Sequence, residues 1–203
     1  MKVIMIEPDG FACNSYILTE DGVNAVVIDP GQRRVLDKVD EEGLICKYVL
    51  LTHGHYDHVG GCRCAQAEGA QIICPDTEKD FIFSKENEEI FEGARFPSFE
   101  IDRTVKDGEE FTLCGITFRA IYTPGHTAGS MSYITGDCIF SGDTLFNMSV
   151  GRTDLPTGDT MELLKTLAKF AALEGDYKVY PGHGSETTLK YEKANNPYLR
   201  FKV

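Results

Sequence analysis

The chain has 203 residues, a formal net charge of −12, 42% hydrophobic and 26% charged residues, five histidines and seven cysteines. That length suffices for a substantial core and the composition is globular, while the acidic balance opposes a sequence-independent nucleic-acid binder, which needs Lys and Arg against phosphates. No apolar run approaches the ~20 residues of a membrane helix, and Glu7 interrupts any secretory leader, so the sequence predicts a cytoplasmic protein with free thiols.

Short apolar runs bounded by turn residues predict early strands at Lys2–Ile6, 15–18 and 25–28, with turns at Pro8-Asp9-Gly10, Asp21-Gly22 and Pro30-Gly31. A helix is expected over 33–42, stopped by Gly43. Next come a buried strand at 48–51 leading into His53, a helix over 62–68 ended by Gly69, and a strand at 71–74 closed by Pro75. Residues 76–97 are charged and aromatic, with Phe81, Phe83, Ile90, Phe91 and Phe96. They predict a helical or irregular excursion, either a cover over the core or a pocket rim. A hairpin is expected from Glu110–Leu113 and 117–121, and further strands at 130–134 and 137–140. Thr160–Ala172 reads as an amphipathic helix, with Met161, Leu164, Leu167 and Ala171 at helical spacing. A last strand at 177–180 and a terminal helix at 189–194 complete the chain, which is expected to form one domain over 1–203. Strands and helices in this order predict an α+β protein of two sheets packed face to face between helices.

Every histidine lies in a glycine-rich turn beside other ligand groups: His53-Gly54-His55-Tyr56-Asp57-His58, Pro124-Gly125-His126, Gly142-Asp143 and Pro181-Gly182-His183-Gly184. Each group follows an apolar run that reads as a strand, and a strand end is a rigid platform. His53 and His55 are two apart in extended chain, so both side chains leave on one side. Asp57 and His58 lie past the turn and reach a neighbouring position. His126 would complete one metal site, His183 a second, and Asp143 would bridge them. Imidazole and carboxylate ligands suit zinc, and also iron or manganese. A purely structural metal site fits less well, because such sites carry four closed ligands with several thiolates. Capped turn histidines explain single residues but not all seven together. Cys62-Arg63-Cys64 follows the cluster, but thiols two apart on a helix point to different sides.

The motif His53-x-His55-x-Asp57-His58, with His126, Asp143 and His183, resembles the metallo-β-lactamase superfamily and, within it, the glyoxalase II-like hydrolases. The turns Thr123-Pro124-Gly125-His126-Thr127, Ser141-Gly142-Asp143-Thr144 and Tyr180-Pro181-Gly182-His183-Gly184 are similar to that group as well. The resemblance implies the αββα four-layer sandwich, two mixed β-sheets flanked by helices, with the site at one edge. It implies two divalent ions, one on His53, His55 and His126 and the other on Asp57, His58 and His183, bridged by Asp143. Asp57 and Asp143 would also serve catalysis. The implied activity is hydrolysis of a small thioester such as S-lactoylglutathione, by attack of a metal-bound hydroxide on the acyl carbonyl.

Gly151-Arg152-Thr153-Asp154 resembles a segment of small glyoxalase II-like proteins that persulfide dioxygenases share. The alternative is therefore a mononuclear iron persulfide dioxygenase holding its metal on His53, His126 and Asp143. Arg152 and Asp154 would either brace the metal loops or position substrate. Larger glyoxalase II enzymes continue into a helical domain that grips glutathione, and no such domain is expected after His183. The basic residues Lys190, Lys193, Arg200 and Lys202 either meet a substrate carboxylate or form a solvated helix face. Nucleic-acid processing on the same sandwich, a non-catalytic metal carrier, and a flavin-linked enzyme with Glu at the place of His55 are disfavoured.

Overall fold

The computed structural model describes residues 1–90 and 98–200. Its first sheet takes the strands in chain order: β1 (Lys2–Ile6), β2 (Ser15–Thr19), β3 (Asn24–Ile28), β4 (Ile45–Leu50), β5 (Gln71–Pro75) and β6 (Arg103–Val105). The β1–β2–β3 meander is antiparallel. From β3 onward the pairing is parallel, which requires long crossovers. These carry α1 (Arg34–Glu41), α2 (Tyr56–Val59), α3 (Cys62–Ala67), α4 (Lys79–Ile82) and α5 (Lys85–Ile90).

The second sheet begins with β7 (Glu110–Leu113), β8 (Ile116–Tyr122), β9 (Met131–Thr135) and β10 (Cys138–Gly142) as an antiparallel meander. A small ribbon, β11 (Leu145–Phe146) with β12 (Ser149–Val150), then leads into α6 (Thr160–Ala172). Strand β13 (Lys178–Pro181) returns parallel to β10, and β14 (Thr187–Thr188) pairs on its far side before α7 (Leu189–Asn195). Asp159 caps α6 by accepting the Met161 and Glu162 N–H groups, and Thr188 caps α7 through the Tyr191 N–H.

Three apolar clusters fill the three spaces between four layers, and β3 shows how one strand serves two of them. Ala25 and Val27 face α1 and α3 with Leu36, Val39 and Ile72. Val26 and Ile28 face the other sheet with Phe118, Tyr133 and Phe140. Buried on both faces, such a strand reads as an uninterrupted apolar run. On the outer side of the second sheet, Ile139 and Val179 pack against Leu163, Leu167 and Phe170 of α6. The chain thus folds as an αββα sandwich of two mixed sheets flanked by helices.

Several expectations shift in detail. Strand β4 starts three residues before the expected 48 because Ile45 and Cys46 already pair with Asn24 and Ala25 of β3, while the exposure of Ile45 and Lys47 hides this part of the strand in the sequence. In α6 the buried face is Leu163, Thr166, Leu167 and Phe170, whereas Met161 is 57% exposed. The Met161–Leu164–Leu167 stripe is displaced because the Thr166 hydroxyl is drawn inward to the Pro124 carbonyl at 2.8 Å. The edge strand β6 (Arg-Thr-Val) and the two-residue strands β11, β12 and β14 are too short to show an alternation in the sequence. The 76–97 excursion forms α4 and α5 through Ile90, and its remainder, with Phe91 and Phe96, lies outside the described residues, as does Lys202. All seven cysteines are unpaired thiols, with Cys62 buried and Cys64 half-buried on α3.

Candidate metal centre

Four strand ends meet at one edge of the sandwich. Strand β4 of the first sheet delivers His53, His55, Asp57 and His58, and β8, β10 and β13 of the second deliver His126, Asp143 and His183. His53 Nε2 lies 3.2 Å from His55 Nδ1, which lies 2.9 Å from His126 Nε2. Asp57 Oδ2 lies 3.1 Å from His183 Nε2 and 3.7 Å from His58 Nε2. Between these two groups sits Asp143, with Oδ1 3.4 Å from His58 Nε2, and with Oδ2 3.5 Å from His126 Nε2 and 3.4 Å from His183 Nε2. Both trios keep their ligand atoms within 4.8 Å of one another. Nitrogen ligands about 2.0–2.1 Å from a tetrahedral zinc stand roughly 3.3 Å apart, so this spacing fits divalent ions.

The hydrogen bonds around the rings decide which nitrogens face the centre. His126 Nδ1 donates to the Arg152 carbonyl at 2.8 Å, and His58 Nδ1 donates to Asp29 Oδ2 at 2.9 Å. The Thr52 hydroxyl donates to Asp29 Oδ2 at 2.6 Å, leaving its oxygen to accept His53 Nδ1–H at 3.1 Å. With hydrogen on Nδ1 in all three, each Nε2 lone pair points inward, the usual arrangement behind metal-ligating histidines. His58 Nε2 and Asp143 Oδ1 are fully buried and make no hydrogen bond among the described residues. The two atoms face each other at 3.4 Å. Although burial opposes its charge, Cys13, Asp57, Asp143 and Asp29 hold His58 well above its ordinary value, so that a proton stands where a cation would satisfy both atoms. Gly182 makes the approach feasible, because a Cβ there would stand 2.1 Å from Asp143 Oδ1 and 2.8 Å from His58 Cε1.

Charge divides the two groups. Burial, reinforced by the neighbouring imidazoles, holds His53 well below its ordinary value and His55 down to about 3. At His183 burial works against the charge, but hydrogen bonds to Asp143 and Asp57 outweigh it and lift the ring to about 9. Burial likewise opposes the charge on Asp57 and Asp143, yet His58 and His183 hold both carboxyls below the usual range.

All seven residues singled out in the sequence are brought together. Asp29 was missed there, although it ends an apolar strand before Pro-Gly, the same context as the ligands. Its Oδ1 accepts the Thr52 N–H at 2.7 Å, and its backbone is left-handed at φ 49°, a conformation that Asp tolerates. Asn14 was also missed: its Nδ2 donates to the Pro181 and Gly184 carbonyls at 3.0 and 2.8 Å, bracketing His183. Arg152 grips Asp154 through two 2.7 Å hydrogen bonds, both side chains mostly exposed. Of the basic tail, Lys193 bonds the Leu173 carbonyl and Arg200 the Ala194 carbonyl. Neither they nor Lys190 line the cleft.

That cleft, about 460 Å³, opens over the ligands with Ile90, Phe146, Val150 and Leu155 as apolar walls and Ser149 and Arg152 as polar ones. The β11–β12 wall is held from behind by α7. Glu192, fully buried, accepts the Met148 N–H at 3.0 Å and the Asn196 amide at 2.8 Å, and Asn196 donates to the Ser149 carbonyl at 3.1 Å.

An αββα sandwich with two imidazole–carboxylate groups at one edge, joined by a shared aspartate, defines a metal-dependent hydrolase. The profile of the metallo-β-lactamase superfamily matches residues 8–183. Hydroxyacylglutathione hydrolase GloC of Haemophilus influenzae is 36% identical over 211 residues, spanning 100% of both chains. Among solved structures, the BLEG-1 B3 metallo-β-lactamase superposes with a TM-score of 0.90 at 30% identity, covering 98% of this chain and 100% of that one. The di-iron-bound form of TTHA1623 gives 0.80 at 30% identity, with coverage of 98% and 100%. The chain belongs to the metallo-β-lactamase superfamily. In the described residues no helix is long and apolar enough to cross a membrane.

Proposed function

We propose that the protein is a binuclear hydrolase of a small thioester such as S-lactoylglutathione, with one domain carrying the whole activity. The observation that carries this reading is Asp143, whose two oxygens reach both ligand groups. His53, His55 and His126 would hold one divalent ion, and Asp57, His58 and His183 the other, with Asp143 bridging. Two such ions, when bound, supply a water acidified toward neutrality and a Lewis acid for the acyl oxygen. Asp57, whose Oδ2 lies beside His183, would also serve as a hydrogen-bond acceptor that orients such a water. Phe146 and Val150 line the cleft over these residues, where they would form apolar contacts with the acyl group. None of the seven thiols is needed as a nucleophile, and burial pushes Cys13, which adjoins His58, up to about 11.

The relative named hydroxyacylglutathione hydrolase supports the substrate class, and the imidazole–carboxylate set supports zinc. The di-iron neighbour keeps iron as a second candidate metal. The test is the rate of S-D-lactoylglutathione hydrolysis by zinc-reconstituted protein, with Asp143→Ala as control. Turnover that collapses in the control is expected, whereas full activity in a metal-loaded Asp143→Ala protein would overturn the assignment. The proximity of Asp143 Oδ2 to His126, alongside His53, favours one further reading: a mononuclear iron persulfide dioxygenase. Oxygen consumption with glutathione persulfide by iron-loaded protein separates the two. Turnover of a β-lactam in place of the thioester would shift the substrate toward that of the lactamase neighbour.

A further inference from the structure

His53 and His55 are joined through a single glycine, and α4–α5 packs directly onto it. The Glu78 carboxylate, 1% exposed, accepts the Gly54 N–H on Oε2 at 2.7 Å. The Asn87 amide, fully buried, donates from Nδ2 to the Gly54 carbonyl at 2.7 Å and to the Ile82 carbonyl at 3.1 Å. That N–H belongs to the peptide after His53, and that carbonyl to the peptide before His55. Two buried side chains therefore pin both peptide planes that aim the paired rings. Glycine left alone samples a wide range of φ and ψ, so the aim is set by the clamp. A side chain there would push the clamp aside: a Cβ at position 54 would stand 2.7 Å from Ile82 Cγ1 and 3.1 Å from Glu78 Oε2.

The same carboxylate reaches the third ring. Glu78 Oε1 accepts the Thr127 hydroxyl at 2.8 Å, and the Gly129 backbone N–H adds a further bond to the carboxylate. Thr127 directly follows His126, so one buried acid links the two loops that carry all three imidazoles. A segment that only covered the core would place apolar groups here. Burying an amide and a carboxylate is costly unless they are hydrogen-bonded; the bonds made here end mainly on the loops of the candidate metal site, while Asn87 Oδ1 finds no partner among the described residues.

We propose that Glu78 and Asn87 are positioning residues of the three-imidazole site, fixing the approach of His53 Nε2, His55 Nδ1 and His126 Nε2 by clamping the Gly54 peptides to the Thr127 turn. The proposal rests on the reading that these imidazoles hold an ion. Ligand atoms must stay within about 0.5 Å of a productive geometry, and loss of outer partners typically lowers metal affinity 10–100-fold.

The variants Glu78→Gln and Asn87→Asp are nearly isosteric. Gln sets an amide against one of the N–H or hydroxyl donors, and Asp sets a carboxylate oxygen against two carbonyls. A His183→Ala background removes a ligand of the other group, so that single-ion affinity reports the three-imidazole site. Zinc affinity is read by competition with a chromophoric chelator, and ligand geometry by the visible bands of the cobalt-substituted protein. Both clamp variants are expected to bind 10–100-fold more weakly with shifted cobalt bands, while Leu36→Ala, a packing defect beneath α1, leaves both unchanged. Thr127→Val, which deletes one bond to Glu78, decides the matter should neither clamp variant fold. Background affinity and an unaltered cobalt spectrum in the folded variants, or an equal loss in Leu36→Ala, would overturn the clamp alone. Absence of metal binding in the unmutated protein would overturn the hydrolase reading with it.

Discussion

Replacing Asp29 by Asn should weaken the ion held by Asp57, His58 and His183 while leaving the fold intact. Asn accepts the left-handed backbone at this position as readily as Asp, so no strain enters. The carboxylate now accepts three hydrogen bonds: the Thr52 N–H on Oδ1, and the Thr52 hydroxyl and His58 Nδ1–H on Oδ2. With its oxygen kept at the Thr52 N–H, Asn turns an NH₂ toward two other donors. His58 can relieve that conflict by moving its hydrogen to Nε2, the atom 3.4 Å from Asp143 Oδ1, which removes the lone pair meant for the ion. A buried hydrogen bond to a charged group is worth about 1.5–3 kcal/mol. At 1.4 kcal/mol per factor of ten, that is a loss of roughly 10–150-fold. Chelator competition measures the affinity, and ¹⁵N chemical shifts of the imidazoles report the tautomer. Two ions bound at unaltered affinity, with His58 still protonated on Nδ1, would refute the reasoning.

The His183 ring, lifted to about 9 by Asp143 and Asp57, must lose a proton before it binds metal. His58 of the same trio is also held well above its ordinary value, so affinity of the site is highest above pH 9 and falls at least tenfold per unit below it. Calorimetry in buffers of different ionisation enthalpy counts the released proton, and a pH-independent affinity would contradict the assignment. Gly182→Ala places a methyl where Asp143 Oδ1 and His58 now lie, so bound metal per chain should fall with little change in circular dichroism; unchanged metal content would show that the loop yields freely. Tyr16→Phe removes a 2.6 Å bond to the Pro181 carbonyl, which keeps its 3.0 Å bond from Asn14. With the acceptor still satisfied, the cost in urea unfolding should stay near 1 kcal/mol, and a loss beyond about 3 kcal/mol would mean that the ring, not the bond, is disturbed.

The candidate ligands were legible as a group because they combine a chemical type with a position: His or Asp in a glycine turn at the end of an apolar strand. Their sorting into two groups followed from the two-residue spacing of His53 and His55 and from the superfamily resemblance. The residues that aim them carry no such mark. Asp29 precedes a Pro-Gly turn and reads as part of it, and Glu78 and Asn87 sit in a charged stretch where most acids and amides are solvated. Glu78 meets Gly54 and Thr127, 24 and 49 positions away in sequence, and Asn87 meets Gly54, 33 away. The α6 face was misplaced for a related reason. Met161 is more apolar than Thr166, but the Pro124 carbonyl selects the residue that can donate to it.

The division of ligands between strands has a consequence for assembly. His53 and His55 come from the first sheet and lack His126 until β8 has docked; Asp57 and His58 lack His183 until β13 has joined β10. Neither half of the sandwich owns a complete site. An ion at either position would be a rivet through both sheets, so a chain emerging in order would gather four candidate ligands early, close the three-imidazole site only when β8 docks, and close the other only when β13 joins β10.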